Sequence, residues 1–319
     1  MVYVILYCII GYRKKIVRKN LSSAFPEKTQ KELRDIERKF YHWLCDYFVE
    51  TVKLLTITPE QMKQHLEFRD MEKLTDAYDR GQGAAVFLGH YCNWEWLSAV
   101  GLYYPKEYSH AFSGLIYHPL RNDFMDNLMK EARASLGGTP VPKRDILRQL
   151  VVLKREKRPY LFGYIFDQAP KWENIHLWTP FLNHNTPVFT GAERIAKKMN
   201  DRVVFVRMER PKRGKYVATF DVVSENASQE PEYEITKRCL ALLEDSIRKA
   251  PHLYLWSHNR WKRTYEGYQK WKQTIPHAPA LPDDISKNKK QESRRRQPFF
   301  ILQSSFFILK SHRVSRVTG

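Results

Sequence analysis

Cysteine is scarce in this chain, and its spacing argues against two common kinds of structural site. Only four cysteines occur in 319 residues, and no two of them form a C-x-x-C pair. A disulfide framework or a tetrahedral zinc site needs paired or clustered cysteines. The sequence therefore predicts free thiols, no metal site and a reducing compartment. The four residues are Cys8, Cys45, Cys92 and Cys239.

Long apolar runs are also missing. The amino-terminal stretch "MVYVILYCIIGYRKKIVRKNL" is apolar only as far as Tyr12, whereas a helix that spans a bilayer takes about 20 apolar residues. A secretory signal carries its positive charges before the apolar part, but here they follow it and suit an anionic cytoplasmic leaflet. We expect residues 1–20 to form a membrane anchor, either lying in the plane of the interface or left from a single span. A buried N-terminal helix is the alternative.

Acidic residues are outnumbered by basic ones. The chain has 35 Asp and Glu against 54 Lys and Arg, a formal net charge of +19. Such a charge implies an anionic partner, which could be nucleic acid, an acidic membrane surface, or an acidic carrier or substrate. Residues 286–319 hold nine basic residues against one Glu and follow the proline-rich "IPHAPALPDD". We predict that residues 276–319 form a linker and a basic, disordered tail; a basic-hydrophobic membrane contact is the other interpretation.

Hydrophobic periodicity predicts an α/β fold. Residues 28–57 place apolar side chains at helical spacing, and Pro59 ends the pattern. Beyond it, short apolar runs alternate with amphipathic stretches, which predicts a mixed β-sheet flanked by helices in one domain over residues 21–275. A hairpin connection at 207–216, with Gly214 in the turn, would make part of the sheet antiparallel. The predicted strands are 84–88, 108–112, 160–166, 203–208, 216–222 and 253–256, and the predicted helices are 70–80, 93–103, 122–135, 145–156, 188–199 and 233–249.

The stretch "FLGHYCNWEW", residues 87–96, places a histidine and a glutamate five positions apart. Side chains at that spacing cannot touch in a continuous helix or strand. They can meet if His90 lies in the turn after the hinge Gly89 and Glu95 lies in the first turn of a helix capped by Asn93. A carboxylate on one ring nitrogen would leave the other nitrogen free to act as a base. The sequence thus predicts a His90–Glu95 dyad at a strand end, where α/β folds place their sites.

Other chemistries have weaker support in this stretch. It offers no serine in a G-x-S-x-G turn. Cys92 could form an acyl-enzyme, but a cysteine two positions from His90 in a tight turn more simply fills space. A metal role lacks an H-E-x-x-H motif or a second clustered histidine.

Five blocks in a fixed order resemble a known family. They are similar to the lauroyl and myristoyl transferases of bacterial lipid A biosynthesis, a branch of the H-x4-(D/E) glycerolipid acyltransferases. Together they span about residues 85–262 and are far more specific than any one block. The blocks are "GHYCNWEW" with His90, Asn93 and Glu95; "IYHPLRNDFMD" with Tyr117, Arg121 and Asn122, followed by Arg133; "YIFDQAP" with Asp167 and Gln168; "TPVFTGAERIAKK" with Thr190 and Gly191; and "LWSHNRWK" with Arg260 and Lys262.

The resemblance implies a membrane-associated enzyme on the cytoplasmic face of the inner membrane, with no cofactor. Its acyl donor would be acyl carrier protein, which carries the chain as a thioester, and its acceptor a hydroxyl of a lipid A precursor. In that scheme His90 deprotonates the hydroxyl and Glu95 orients His90. The basic surface would suit the acidic carrier protein and anionic lipid.

The resemblance also implies substrate contacts. Arg121 and Arg133 would hold the acceptor's phosphates or the developing oxyanion, and Asp167 would pair with one of them. Thr190 and Gly191 would allow close backbone approach at a helix start, or serve tight helix–sheet packing. Arg260 and Lys262 would contact an anionic group, or form a solvated basic face.

One departure concerns the acceptor. His118 stands where the family has arginine, and imidazole cannot replace a bidentate guanidinium fork. A same-fold acyltransferase acting on a lysophospholipid or an aminolipid is therefore the nearest rival. Two further rivals are a basic nucleic-acid-binding protein, which lacks a recognised motif here, and a catalytically inactive homologue, against which the His90 and Glu95 pair argues.

Overall fold

A mixed β-sheet with helices around it organises the protein. The fold is taken from a computed structural model, which describes residues 2–117, 119 and 122–275. The helices are α1 (Lys14–Ala24), α2 (Gln30–Lys53), α3 (Pro59–His65), α4 (Glu72–Asp79), α5 (Asp123–Ala134), α6 (Ile146–Arg155), α7 (Gly191–Met199), α8 (Glu234–Lys249) and α9 (Tyr265–Gln273). The strands are β1 (Leu66–Phe68), β2 (Ala84–Leu88), β3 (Phe112–Tyr117), β4 (Thr139–Pro142), β5 (Tyr160–Ile165), β6 (Leu177–Phe181), β7 (His184–Val188), β8 (Arg202–Lys212) and β9 (Lys215–Ser224).

The main sheet has the strand order β1-β9-β8-β2-β5-β3-β4. Neighbouring strands are parallel except β8 and β9, which form an antiparallel hairpin. That hairpin turns at Gly214, whose φ of 70° is a conformation that glycine adopts without steric cost. The predicted mixed sheet and the predicted hairpin are therefore confirmed.

The central strand β2 matches its predicted bounds, and all five of its residues are buried. Burial on both faces explains why its sequence, "AAVFL", is apolar without alternation. The helices predicted over 70–80, 122–135, 145–156 and 233–249 are confirmed to within a few residues.

Three predicted elements differ from the structure. In place of a strand over 108–112, Tyr108 is the last residue of a short 3₁₀ helix, and β3 begins only at Phe112. Residues 253–256 form an isolated bridge between Tyr91 and Tyr254 in place of a strand. The stretch predicted as a helix over 93–103 is a 3₁₀ helix over Trp96–Tyr103.

A small second sheet, β6 paired with β7, was not predicted. Its turn consists of Leu182 and Asn183, both in the left-handed region with φ of 50° and 63°. Two-residue hairpin turns of this kind usually carry Asn-Gly or Gly. Leucine in the first position hides the turn from sequence patterns.

The amino-terminal residues lie on the outside of the domain. A π-helical segment, Val4–Ile9, has no buried residue, and Ile9 and Ile10 are 72% and 65% exposed. α1 packs on α2 and buries Val17 and Leu21. In the part of the chain that the structure describes, no helix is both long enough and apolar enough to cross a membrane. The predicted tail, residues 276–319, lies outside the described residues.

Candidate active site

Two of the predicted site residues meet at one edge of the sheet. His90 follows β2 and Asp167 follows β5. The two strands are parallel neighbours, with Leu88 opposite Ile165. Because the carboxyl ends of parallel strands share an edge, the two side chains emerge close together.

A carboxylate and an amide hold the imidazole of His90 from both sides. His90 Nδ1 lies 2.7 Å from Asp167 Oδ1, and the His90 backbone N–H donates to Asp167 Oδ2 at 3.2 Å. His90 Nε2 lies 3.0 Å from Gln168 Nε2. Since an ionised carboxylate can only accept, Nδ1 carries the proton, and Nε2 accepts from the Gln168 amide. The lone pair that can accept a proton is therefore on Nε2.

Asp167 is held ionised in a fully buried position. Burial raises the pKa of Asp167, but the electrostatic interaction with His90 and the hydrogen bonds that His90 donates outweigh burial and hold the pKa below its usual value. The charge of Arg260 acts in the same direction. A carboxylate kept ionised in this way can fix the His90 tautomer and stabilise the imidazolium.

The prediction that Glu95 orients His90 is corrected. Glu95 accepts two hydrogen bonds from Arg133, at 2.9 Å from Nε and 2.8 Å from Nη2, and the carboxylate on the imidazole is that of Asp167. The turn between His90 and Glu95 passes through Cys92 at φ 55°, and a 3₁₀ helix begins directly after Glu95. Burial raises the pKa of Glu95, but Arg133 and the nearby His90 outweigh it and lower the pKa.

An apolar groove runs across one face of the sheet beside this turn. Registered positions from neighbouring strands form its floor: Leu115 pairs with Gly163, Gly163 with Val86, and Val206 with Phe220. The 3₁₀ helix covers it. The remaining lining residues are Phe68, Leu88, Trp94, Glu95, Leu97, Ser98, Val100, Ile116, Arg133, Leu161 and Ile165.

The groove and the base are adjacent. The Trp94 ring lines the groove and contacts the His90 ring edge-on, with centroids 5.1 Å apart. Glu95 and Arg133 form the charged end of an otherwise apolar lining. The arrangement places the imidazole of His90 beside a largely apolar groove.

The comparison with known families agrees with this geometry. The sequence matches the family described as bacterial lipid A biosynthesis acyltransferase over residues 5–263. The chain belongs to this family. No curated protein matches the sequence. Membership identifies the protein as an acyltransferase, and its family acts in lipid A biosynthesis.

Backbone hydrogen bonds from the start of the last block and the residues just before it hold the turn that carries His90. The Cys92 N–H donates to the Leu253 carbonyl at 2.8 Å, and the Leu255 N–H donates to the His90 carbonyl at 3.1 Å. The following turn is held from α1, because the Asn20 amide donates to the carbonyls of Trp256 and His258 at 2.7 and 2.8 Å. Sequence reasoning missed Asn20, because nothing local marks its partners more than 230 positions away.

Asn93 is buried inside the turn. Its Oδ1 accepts from the Trp96 N–H at 3.3 Å, but the 3₁₀ helix starts after Glu95, which takes the N-cap position predicted for Asn93. Its amide donates to Glu50 Oε2 at 2.7 Å, and Tyr216 donates to the same oxygen at 2.6 Å. Asn93 therefore ties the turn to α2 and β9. Glu50 was not singled out by sequence reasoning.

Two other predicted substrate contacts lie near α5. Asn122 caps α5 by accepting from the Met125 N–H at 3.0 Å, and Tyr117 ends β3. Arg121 lies outside the described residues, as does His118.

The remaining predicted contacts surround the start of α7. Thr190 and Gly191 stand at its N-terminus, and Arg260 is buried with Nη2 donating to the Pro187 carbonyl at 2.7 Å. Lys262 is exposed. The solvated-face interpretation therefore fits Lys262 and does not fit Arg260.

Cys92 is fully buried, and burial raises the pKa of its thiol. The thiolate is the nucleophilic form of cysteine, so this environment opposes an acyl-enzyme on Cys92.

Proposed function

We propose that this acyltransferase moves a fatty acyl chain from acyl carrier protein to a hydroxyl of a lipid A precursor by direct attack, with His90 as the general base. The observation that carries the proposal is the His90–Asp167 pair beside an apolar groove. A base alone would serve many hydrolases and transferases. A base beside a largely apolar groove suits an acyl substrate.

The base works through Nε2. In the substrate-free protein this nitrogen accepts a hydrogen bond from Gln168, so the acceptor hydroxyl takes the place of the Gln168 amide. The hydroxyl oxygen attacks the thioester carbonyl while its proton passes to Nε2. The tetrahedral intermediate then collapses, the carbon–sulfur bond breaks, and the leaving thiolate takes the proton from the imidazolium.

Charge develops at two places, and the site has a group for each. The imidazolium is stabilised by Asp167, 2.7 Å from Nδ1. The oxyanion forms at the charged end of the groove, where Arg133 provides a guanidinium that Glu95 holds in a fixed orientation. Preorganised donors of this kind lower the barrier because they need no reorganisation.

The acyl chain occupies the groove across the sheet. The groove reaches from β3 to β1, which is about 24 Å at the usual strand spacing of about 4.8 Å. Phe68 and Phe220, whose rings stack with centroids 6.0 Å apart, line the groove on the two strands farthest from β3.

The charge of the chain supports the proposed donor and location. The net charge of +19 suits an acidic carrier protein and an anionic leaflet. We assign the protein to the cytoplasmic face of the inner membrane, where the exposed Ile9 and Ile10, followed by Lys14 and Lys15, make an interfacial contact.

The test is acyl transfer by the purified full chain. Acyl-loaded carrier protein is incubated with a lipid A precursor, with a lysophospholipid and with an aminolipid in separate reactions, and products are identified by mass spectrometry. We expect transfer to the lipid A precursor, and at least a 100-fold loss in His90→Gln because a positioned base contributes about 10²–10⁴ in rate. His110→Gln, an exposed histidine, is the matched control. Transfer to another lipid alone would overturn the acceptor assignment, and full activity of His90→Gln would overturn the mechanism.

A further inference from the structure

The N-terminus of α7 lies at the same edge of the sheet as the catalytic base. β8 follows α7 after Asn200 and Asp201 and runs parallel to β2. A helix that leads back into a parallel strand runs antiparallel to it, so α7 begins at the carboxyl edge. A helix N-terminus has free N–H groups and a partial positive charge.

At this N-terminus, Thr190 has a hydroxyl without a hydrogen-bond partner among the described residues, and Gly191 leaves open space beside it in the chain. Thr190 is 2% exposed, makes no side-chain cap, and its Oγ1 has no hydrogen-bond partner among the described residues. Gly191 has open space where a side chain would begin, since a Cβ placed there meets nothing within 4 Å. Tight packing does not explain this glycine. A buried hydroxyl without a partner requires an explanation, and a bound polar group is one.

Arg260 approaches the same segment with unused donors. It is 1% exposed and gives Nη2 to the Pro187 carbonyl, whereas Nε and Nη1 have no partner in the described part of the chain. A buried arginine stays charged, so its charge must be balanced. The carboxylate of Asp167 interacts electrostatically with Arg260 and balances part of this charge, but it forms no ion pair with Arg260, and its oxygens accept hydrogen bonds from His90. Burial, and after it the nearby Arg260 and His90, lower the pKa of His258 to about 3.

Lys143 contributes charge to the same segment. Its Nζ lies 5.8 Å from the centroid of the Phe189 ring, one residue before Thr190. Burial and the neighbouring charge of Lys171 lower the pKa of Lys143. Among residues 2–117, 119 and 122–275, no carboxylate forms an ion pair with Lys143 or Arg260.

We propose that Thr190, the first turn of α7, Arg260 and Lys143 bind a phosphate monoester, and that in the reaction this is the phosphate of the acceptor lipid. Two cations that form no ion pair with a carboxylate of the described residues, together with a helix N-terminus, match a dianion better than a single carboxylate. The hydroxyl and the helix N–H groups can each donate to a different phosphate oxygen. The second half of the proposal rests on the proposed function, whereas the binding site itself does not.

Direct binding tests the site without any acyl chemistry. Inorganic phosphate is titrated into the full chain by calorimetry, with sodium chloride at matched ionic strength as the blank. We expect Thr190→Val to bind about 10- to 100-fold more weakly, because a hydrogen bond to a charged group contributes about 1.5–3 kcal/mol. Lys143→Gln should weaken binding as well. Lys198→Gln removes the same charge from the opposite end of α7 and should bind as the wild type does.

Gly191→Ala separates ligand binding from folding. The added methyl meets no protein atom within 4 Å, so the thermal midpoint should be unchanged while phosphate affinity falls several-fold. The proposal would be overturned if the wild type did not bind phosphate, or if Gly191→Ala and Thr190→Val bound it as tightly as the wild type does. Ordered water would then be the partner of these groups.

A second measurement identifies the source of the phosphate. Acyl transfer is compared between a phosphorylated lipid acceptor and the same lipid after phosphatase treatment. We expect the wild type to prefer the phosphorylated acceptor, and the preference to shrink in Thr190→Val. Phosphate binding without any acceptor preference would refute the lipid assignment and favour free phosphate. Failure of all acyl transfer would refute the proposed function, and the calorimetry would still decide the site.

Discussion

The carboxylate of Asp167 controls both the position and the proton of His90. One oxygen contacts the ring at Nδ1 and the other accepts from the backbone N–H of the same residue. A side chain held at two points has little freedom to rotate, and its tautomer is set by the acceptor that faces Nδ1. In the proposed mechanism, the action of His90 as a base therefore depends on its partner as much as on the imidazole.

Asp167→Asn should reduce kcat about 100- to 10,000-fold with a small change in KM. The amide can donate to Nδ1, which favours the wrong tautomer, and it no longer stabilises the imidazolium. Steady-state kinetics measure kcat and KM, with the half-buried Asp35→Asn as the control. An unchanged kcat would show that Asp167 serves only the fold.

His90 could be predicted from its own neighbourhood, but its partner could not. An apolar strand, a glycine and a histidine are adjacent in sequence, so a site at the strand end follows from local pattern. Asp167 is 77 positions away from His90 and reaches it only because β2 and β5 are neighbours in the sheet. Strand order is a tertiary property, and Glu95, the nearby carboxylate, is bound by Arg133.

At the scale of the elements, strand register creates the groove. Parallel neighbours align their inward positions, so Leu115, Gly163 and Val86 lie in one line across three strands. Gly163 lies in the middle of that line. Its missing side chain deepens the groove where a valine or leucine would fill it.

Gly163→Val should shift the preferred acyl chain toward shorter lengths. A Cβ at this position meets nothing closer than Leu88 Cδ2 at 3.7 Å, so the fold tolerates it, whereas the valine methyls project into the groove. We expect the rate with long chains to fall about tenfold or more and the rate with short chains to fall less. Competition between acyl donors of two lengths measures the shift. Tyr164→Phe changes the opposite face of the same strand and should leave the preference unchanged; an equal loss at every chain length would place the acyl chain elsewhere.

β5 and β8 are linked by a buried carboxyl whose ionisation opposes folding. Tyr160 donates to Asp201 Oδ1 at 2.6 Å, and burial raises the pKa of Asp201 to about 6. Because folding raises the pKa of Asp201, this residue stabilises the folded state fully below about pH 4. Its contribution to the free energy of unfolding is lost as the pH rises through about 6. The wild type therefore carries a penalty at neutral pH, on the order of 2–3 kcal/mol.

Asp201→Asn should stabilise the protein at pH 7.5 and have little effect near pH 4. The amide oxygen can still accept from Tyr160, and the side chain can no longer ionise. Urea unfolding at several pH values measures the difference in unfolding free energy. Asp35→Asn is the control of opposite sign, because the hydrogen bond from Lys39 lowers the pKa of Asp35. A stability difference that does not grow between pH 4 and pH 7 would contradict this account.

At the scale of the whole molecule, the amino-terminal segment connects two different surroundings. Ile9 and Ile10 face outward, whereas α1, a few residues later, is buried on α2 and holds the turn of the last block through Asn20. The composition predicted the exposed apolar end and its basic neighbours. It did not predict that the same segment supports the turn of the last block, since that contact joins residues far apart in sequence.

The double substitution Ile9→Glu with Ile10→Glu should weaken membrane binding about tenfold or more without unfolding the protein, because both side chains are already exposed. Each loses apolar area that an interface would cover, and each adds a charge that an anionic leaflet repels. Co-sedimentation with vesicles of phosphatidylglycerol and phosphatidylcholine measures binding. Vesicles of phosphatidylcholine alone should bind less protein, and salt should reduce the difference.

Val151→Glu places one glutamate at an exposed valine on α6 and should bind as the wild type does. If the double variant binds as tightly as the wild type, the amino-terminal segment is not the membrane contact, and the basic surface of the domain would have to provide it.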